Sequence, residues 1–281
     1  MSAKYPVLCS ALEVVAGVND QIVLYEPNGA SPGKQTATVA AGTYYVYQDD
    51  DGGEAANNLL TAVVTAIDTA SGTTGNGYAY SWSLTLRQEV DHTSTVFSAT
   101  SDTDNFRIDA SDADCTFPVE LIGLEAGADT GSVSDIVSSL SSALTWVSSQ
   151  PRARIDPGGW ERDVHQHVAA DGSRHTFTAS DVREMRRLRL ENIERGRVFE
   201  AANSADPGRA FEAWWRLASD GRLVRLYEVE PSSATLLPDL TSSELVGTYV
   251  LTQDSCTGFD PRRPDDAVAL YSWDLMLAKD Q

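Results

Sequence analysis

A pattern that occurs twice is the feature of this sequence that most constrains the fold. G-T-Y-x-x-x-Q-D is found at Gly42–Asp49 and again at Gly247–Asp254. Each copy is followed by Y-S-W-x-L-x-L, at Tyr80–Leu86 and at Tyr271–Leu277. Aromatic and β-branched residues at this density are typical of β-strands. The repetition therefore predicts two β-rich halves.

Charge and turn residues predict where the two halves meet. Residues 1–150 carry a net charge of −15, whereas residues 151–281 carry −5. Two prolines and the pair Gly158-Gly159 lie close to this change, after a serine-rich lead-in. We therefore predict an acidic domain at 1–148, a connector at 149–160 and a second domain at 161–281.

Short strand-like segments separated by turn residues fill both halves. We accordingly predict a mainly β fold with a few packed helices (α+β), built as two β-sandwich-like domains with antiparallel sheets. The predicted strands are Gln21–Tyr25, Thr36–Val39, Thr43–Tyr47, Tyr78–Glu89, Thr93–Ala99, Asn105–Ala110, Cys115–Leu121, Arg186–Ile193, Leu223–Val229, Thr248–Gln253 and Val268–Ala278.

The clearest helical pattern covers about residues 54–68. Apolar residues recur there at spacings of three and four, as on one face of a helix. Asp51 or Gly52 can cap its start and Gly72 can close its end. The spacing of Ile136, Leu140, Leu144 and Val147 is also helical, but the surrounding serines disfavour a helix there.

A second helix is predicted at about residues 208–219. Pro207 suits its first turn and Gly221 its C-terminal end. Phe211, Trp214, Trp215 and Ala218 would face the core. The pair Trp214-Trp215 is alternatively a platform for stacking sugars, although helical spacing favours the core for at least one ring.

The acidic balance restricts the partners that the chain can have. A net charge of −20 repels phosphate backbones and anionic lipid, so we expect no nucleic-acid contact from the acidic half and no membrane partner. Three widely spaced cysteines form neither a disulfide framework nor a zinc pattern. No signal-peptide pattern opens the sequence, so we expect synthesis in the cytoplasm.

His165 and His167 are the candidate metal ligands. An H-x-H pair lies on one face of a strand, and Asp163 and His175 are near enough in sequence to join it. Two ordinary surface histidines produce the same pattern. We therefore expect no metal and no other cofactor. The acidic turn Asp49–Glu54 likewise lacks the ligand spacing of a calcium loop and suits a helix cap.

Six arginines are the candidate interface residues. Glutamates interrupt the run, which favours salt bridges with an acidic neighbour over binding of a phosphate backbone. The acidic N-terminal half, of this or of an adjacent copy, is the expected partner. The candidates are Arg183, Arg186, Arg187, Arg189, Arg195 and Arg197.

Three classes of function remain open. No G-x-S-x-G, P-loop, G-x-G-x-x-G or H-E-x-x-H motif occurs, so we expect a structural protein that forms oligomers and no enzyme. A carbohydrate-binding or adhesin module of a virion or cell surface is the alternative. A hydrolase with an unrecognised site is the second alternative, because carboxylates are abundant.

The chain resembles virion structural proteins of tailed bacteriophages, of the tail-tube, distal-tail or baseplate type. This resemblance implies a β-sandwich tail architecture, a homo-oligomeric ring among other virion proteins, a location in the virion tail, and no catalysis. The family has no shared catalytic motif, so no functional residues carry over. The resemblance lies in the tyrosine-rich strand and acidic turn 42–53, the helix with Leu59-Leu60, the Ser/Thr-rich strands ending near 117–123, Phe211-x-x-Trp214, Gly221–Tyr227 and the tyrosine-rich final strand.

Overall fold

The protein has a mainly β fold with two packed α-helices in the part of the chain that is described. Every ladder between its strands is antiparallel, so the predicted fold class is confirmed. The computed structural model describes residues 4–26, 33–46, 57–74, 77, 79–88, 93–101, 106–124, 135–137, 142–147, 154–156, 160–161, 164–168, 174–178, 183–194, 211–231, 238–252 and 270–280.

The strands in chain order are β1 (Tyr5–Val14), β2 (Gln21–Tyr25), β3 (Lys34–Thr38), β4 (Gly42–Tyr45), β5 (Tyr80–Gln88), β6 (Thr93–Ser101), β7 (Arg107–Ile108), β8 (Asp135–Val137), β9 (Thr145–Val147), β10 (Arg154–Asp156), β11 (Trp160–Glu161), β12 (Val164–Val168), β13 (Arg174–Thr178), β14 (Arg183–Glu194), β15 (Leu223–Pro231), β16 (Pro238–Leu251) and β17 (Leu270–Lys279). The helices are α1 (Leu59–Thr74) and α2 (Phe211–Ser219).

One large sheet organises the chain. Its strand order is β10-β14-β17-β16-β15-β1-β4, with β11 added beside β14 and β9 beside β1. The smaller sheets are β3-β2-β7, β5-β6-β8 and the hairpin β12-β13. Both faces of β1 are covered, so nearly all of its residues are buried. This is why its sequence is mostly apolar and does not alternate between apolar and polar residues.

The large sheet combines strands from both sides of the predicted connector. Tyr5 of β1 pairs with Val229 of β15, and β1 also pairs with β4. The predicted boundary therefore does not separate two sheets, and the division into domains stays a prediction. Residues 154–156, within the predicted connector, form β10, and residues 160–161, where the connector meets the predicted second domain, form β11; both strands pair with β14.

Two hydrophobic cores lie on the large sheet. Val7 and Cys9 of β1 belong to the first, which also contains most of α1. Leu8, which faces the opposite side, belongs to the second core with Leu226, Tyr249 and α2. Strand alternation thus distributes β1 between both cores.

Helix α1 begins and ends later than its sequence pattern predicts. It spans Leu59–Thr74, so Gly72 lies inside it and does not close it. The Asn58 Oδ1 atom accepts hydrogen bonds from the backbone N–H groups of Leu60 at 2.9 Å and Thr61 at 3.2 Å. Asn58 is therefore the N-terminal cap. Asp51 and Gly52, the predicted caps, lie outside the described residues.

Helix α2 confirms the predicted pattern from Phe211 onward. Trp214 is 1% exposed and Ala218 fully buried, so both face the second core as expected. Gly221 has a φ of +82° and donates its N–H to the Ala218 carbonyl at 3.3 Å, which ends the helix. Trp214 is thus unavailable as a sugar platform, and Trp215 is half-buried against the same core.

Between residues 115 and 147 one strand prediction is wrong, and a helical pattern that the serines disfavoured is not a helix in its described residues. The predicted strand at Cys115–Leu121 is replaced by a 3₁₀ helix at Val119–Ile122 that ends at Gly123, with φ +90°. Pro118 directly precedes that helix and has no N–H for a strand ladder. The weak helical pattern from Ile136 to Val147 instead contains the strands β8 and β9. Serine there favours extended and turn conformations over helix.

The repeated G-T-Y has a local packing function. A Cβ atom on Gly42 would lie 3.3 Å from the Tyr44 ring, and one on Gly247 would lie 3.1 Å from the Tyr249 ring. In both strands, therefore, the tyrosine ring lies over the glycine two residues before it. The strands themselves have different places, because β4 ends the large sheet whereas β16 lies inside it. The repeated G-T-Y therefore corresponds to the same glycine–tyrosine contact in two strands, and the two strands do not occupy equivalent places in a duplicated sheet.

Candidate interaction surfaces

The arginines of β14 are divided between the two faces of the large sheet. Arg186 lies on the face of Leu188, which is fully buried in the second core. Arg183, Arg187 and Arg189 occupy positions on the other face, where the Arg187 side chain is exposed. Arg195 and Arg197 lie outside the described residues.

Arg186 is engaged within its own sheet. Its Nη2 atom lies 2.6 Å from Glu184 Oε1, and Lys279 Nζ lies 3.1 Å from Glu184 Oε2. The hydrogen bond from Lys279, followed by the charge of Arg186, holds the pKa of Glu184 below its usual range. This ion-pair cluster joins β14 to β17 at the edge of the second core.

Strand register places an acidic residue opposite each arginine of the other face. Glu161 pairs with Arg183, and Asp156 pairs with Arg187. Arg189 lies between Asp274 of β17 and Arg154 of β10, so it has one neighbour of opposite charge and one of like charge. Directly opposed charges of opposite sign stabilise a sheet by roughly 0.2–1 kcal/mol per pair. These strand neighbours lie in residues 156–274, whereas the partner expected from the sequence is the acidic N-terminal half; the interface role of the arginines stays a prediction.

The histidine candidates lie in the hairpin β12-β13. His165 is paired with Phe177, and His167 is paired with His175. Asp163, which the sequence pattern also suggested, lies outside the described residues. Among the described residues searched for metal sites, no group of three or more His, Cys, Asp or Glu side chains is assembled to hold an ion. The structure does not describe the side chains of this hairpin. The positions of its histidines are therefore known from the backbone register alone.

A surface groove, which we call the threonine–alanine groove, lies between β3 and α1. Its volume is about 630 Å³. Thr65, Thr69 and Thr73 of α1 are exposed along it, at helical spacing. Among the described lining residues, Tyr44 carries the one titratable group, and its hydroxyl donates to the Ala40 carbonyl at 2.9 Å. The lining residues are Thr36, Thr38, Ala40, Tyr44, Thr61, Ala62, Thr65, Ala66, Thr69, Ala70 and Thr73.

This groove was not predicted from the sequence, although the sequence contains a signal for it. Thr61, Thr65, Thr69 and Thr73 are four residues apart, and each of the first three precedes an alanine. The groove needs β3 as its second wall, and only the tertiary structure brings β3 beside α1. β3 is also an outer strand of its three-stranded sheet, β3-β2-β7.

An ion-pair cluster stands at the end of β3. Lys34 Nζ lies 2.8 Å from Asp112 Oδ1 and 2.8 Å from Asp114 Oδ2, and the Tyr25 hydroxyl donates to Asp112 Oδ2 at 3.2 Å. Lys34 holds the pKa of Asp112 below its usual range, chiefly through the hydrogen bond. The lysine ammonium thus balances the acidic loop that follows β7 and fastens it to β3.

Glu26 is the buried carboxylate that a hydrolase hypothesis would single out. It is 1% exposed and accepts hydrogen bonds from the Tyr80 hydroxyl and, at 3.1 Å, from Ser71 Oγ. Ser71 and Tyr80 are buried as well. The network therefore fastens α1 and β5 to the end of β2, without an opening to a substrate among these three residues.

Neither helix in the described part of the chain has the length and apolar character needed to cross a membrane.

Comparison with known proteins identifies no relative of this chain. No protein-family model, no curated protein and no solved structure matches it. The candidate surfaces are therefore argued from their own geometry.

Proposed function

We propose that this protein is a non-enzymatic structural subunit of a bacteriophage tail or baseplate. Its copies contact one another through the threonine–alanine groove and join other virion proteins in the tail. The observation that carries the proposal is the chemistry of the groove. In a chain of net charge −20, the described residues that line it present hydroxyl and methyl groups, and none of them is charged.

Charge explains why a neutral groove is suited to contacts between copies. Two copies that each carry −20 repel one another, and opposed carboxylates at a contact would add to that cost. A carboxylate-free surface removes the short-range part of the repulsion. The remaining long-range part is screened by salt within about 8 Å at physiological ionic strength.

The edge strand gives a neighbouring copy something to bind. β3 alternates exposed and buried residues, with Thr36 and Thr38 exposed toward the groove. Outer strands present unpaired backbone groups, and natural proteins cover or protect them. A second copy seated in the groove would cover β3 and the exposed face of α1 together.

The residues that line the groove favour binding of another protein surface over catalysis. A threonine hydroxyl becomes a nucleophile only beside a general base, and the described lining residues include no carboxylate, imidazole or amine. Tyr44, the titratable residue among them, already donates a hydrogen bond from its hydroxyl to a backbone carbonyl. The groove can bind a surface by shape and hydrogen bonding.

Light scattering coupled to size-exclusion chromatography tests the proposal. We expect the mass to rise above the 30.3 kDa of one chain with increasing protein concentration, and to rise further with salt. Thr65→Glu places a charge in the groove and should keep the protein monomeric. Val18→Glu is the matched control, since Val18 is 65% exposed and outside the groove.

The salt dependence of assembly distinguishes contacts through the groove from contacts through the arginines of β14. Contacts made by Arg183, Arg187 and Arg189 would weaken as salt increases, and Arg187→Glu would disrupt them. Assembly that weakens with salt and survives Thr65→Glu would refute the groove as the contact. A chain that stays monomeric at every concentration and salt would refute self-assembly altogether.

A further inference from the structure

We propose that the hairpin β12-β13 is a binding site for a zinc-class divalent metal ion, with His165, His167 and His175 as its three ligands. The observation behind it is the register of the hairpin. His165 and His167 are two residues apart on β12, so they share a face, and His175 of β13 pairs directly with His167. All three positions therefore lie on one face of one hairpin.

The spacing of these positions suits three imidazoles on one ion. Directly opposed residues have Cβ atoms about 4.5–5.5 Å apart, and alternate residues of a strand are about 6.6 Å apart. Zinc is bound by histidine nitrogens at about 2.0–2.1 Å. Three histidine positions that share one face at this spacing meet the backbone requirement of a single ion with three imidazole ligands.

The ligand set selects the metal. Imidazole nitrogen suits zinc, cobalt, nickel and copper, whereas calcium and magnesium require oxygen ligands. Three protein ligands leave the fourth tetrahedral position to water or to a group from outside the hairpin. The net charge of −20 raises the local concentration of any divalent cation. The site does not depend on the threonine–alanine groove or on self-assembly.

Isothermal titration of the full chain with Zn²⁺ alone at neutral pH tests the site. We expect one equivalent to bind. Loss of a residue that only supports a metal ligand typically weakens metal binding roughly 10–100-fold. His175→Ala and His167→Ala each remove a ligand itself, so each should weaken Zn²⁺ binding by at least that factor. His92→Ala is the matched control, because it removes the only other histidine of the chain and should leave binding unchanged.

Co²⁺ distinguishes this site from adventitious binding to thiols or carboxylates. We expect visible absorption typical of tetrahedral cobalt with nitrogen ligands, without a thiolate charge-transfer band, and its loss in His175→Ala. Circular dichroism of the metal-free variants should match the parent, which shows that they fold. The proposal is overturned if no equivalent of Zn²⁺ binds, or if binding is equal in the parent and in folded His167→Ala and His175→Ala.

Discussion

Replacing Gly247 by alanine tests the packing that underlies the repeated G-T-Y. The new Cβ atom would lie 3.1 Å from the Tyr249 ring, closer than ordinary van der Waals contact. Tyr249 is fully buried in the second core, where Leu251 and Leu277 also lie. The ring therefore has little room to move away.

Two opposing effects set the magnitude. Alanine restricts the unfolded chain more than glycine, which stabilises a protein by about 0.4–1 kcal/mol where the backbone allows it. Overpacking a filled core costs about 1–3 kcal/mol. Because the Tyr249 ring is enclosed, the second effect should prevail, with a net loss of about 1 kcal/mol in the free energy of unfolding.

Urea unfolding followed by tryptophan fluorescence measures this loss, and the thermal midpoint should fall by about 2–4 °C per kcal/mol. Gly42→Ala is the matched control. Tyr44 is 7% exposed and lines the open groove, so its ring can shift and the substitution should be close to neutral. In a Tyr249→Ala background, Gly247→Ala should lose its cost. A Gly247→Ala protein as stable as the parent would refute the reasoning.

Three further substitutions test the helix and the β14 ion pairs. Leu60→Ala, at a fully buried position of α1, should cost about 2–5 kcal/mol in chemical denaturation. Asn58→Ala should cost about 0.5–2 kcal/mol, because it removes the cap of α1. The pKa of Glu184 is lower in the folded protein than its value of about 4.3 in the unfolded chain. Its ion pairs therefore stabilise the fold at a pH above about 4.3, and this stabilisation is lost as the pH falls through the pKa of the folded state. Glu184→Gln should therefore be up to about 1 kcal/mol less stable than the parent at pH 7, a difference that urea titrations should find absent in acid.

Sequence periodicity was sufficient where an element is stabilised by its own neighbours. The strand Gln21–Tyr25 and the end of α2 at Gly221 agree with the pattern, because alternation and a left-handed glycine are local signals. The strand β1 was missed because burial on both faces removes the alternation by which a strand is recognised. Its pairing with β15 joins distant parts of the chain, which no local pattern reports.

The candidate surfaces show the same division. The H-x-H pair was visible in the sequence, whereas the pairing of His167 with His175 required the register of the hairpin. The arginine run was visible too, but the residues opposite Arg187 and Arg189 depend on which strands flank β14. The threonine–alanine groove could not be predicted from α1 alone, since β3 forms its other wall.

The position of β1 between β15 and β4 has a consequence for how the protein is made. Arg222 donates a hydrogen bond to the Ala11 carbonyl across 211 residues, and β15 follows directly on that arginine. A ribosome that adds about 5–20 residues per second exposes β1 well before β15 exists, although β4 and β9 are made earlier. During that interval the edge of β1 that later pairs with β15 is open and free to pair with a wrong strand. We expect nascent chains truncated before β15 to be caught by chaperones or to aggregate, and the large sheet to close only late in synthesis.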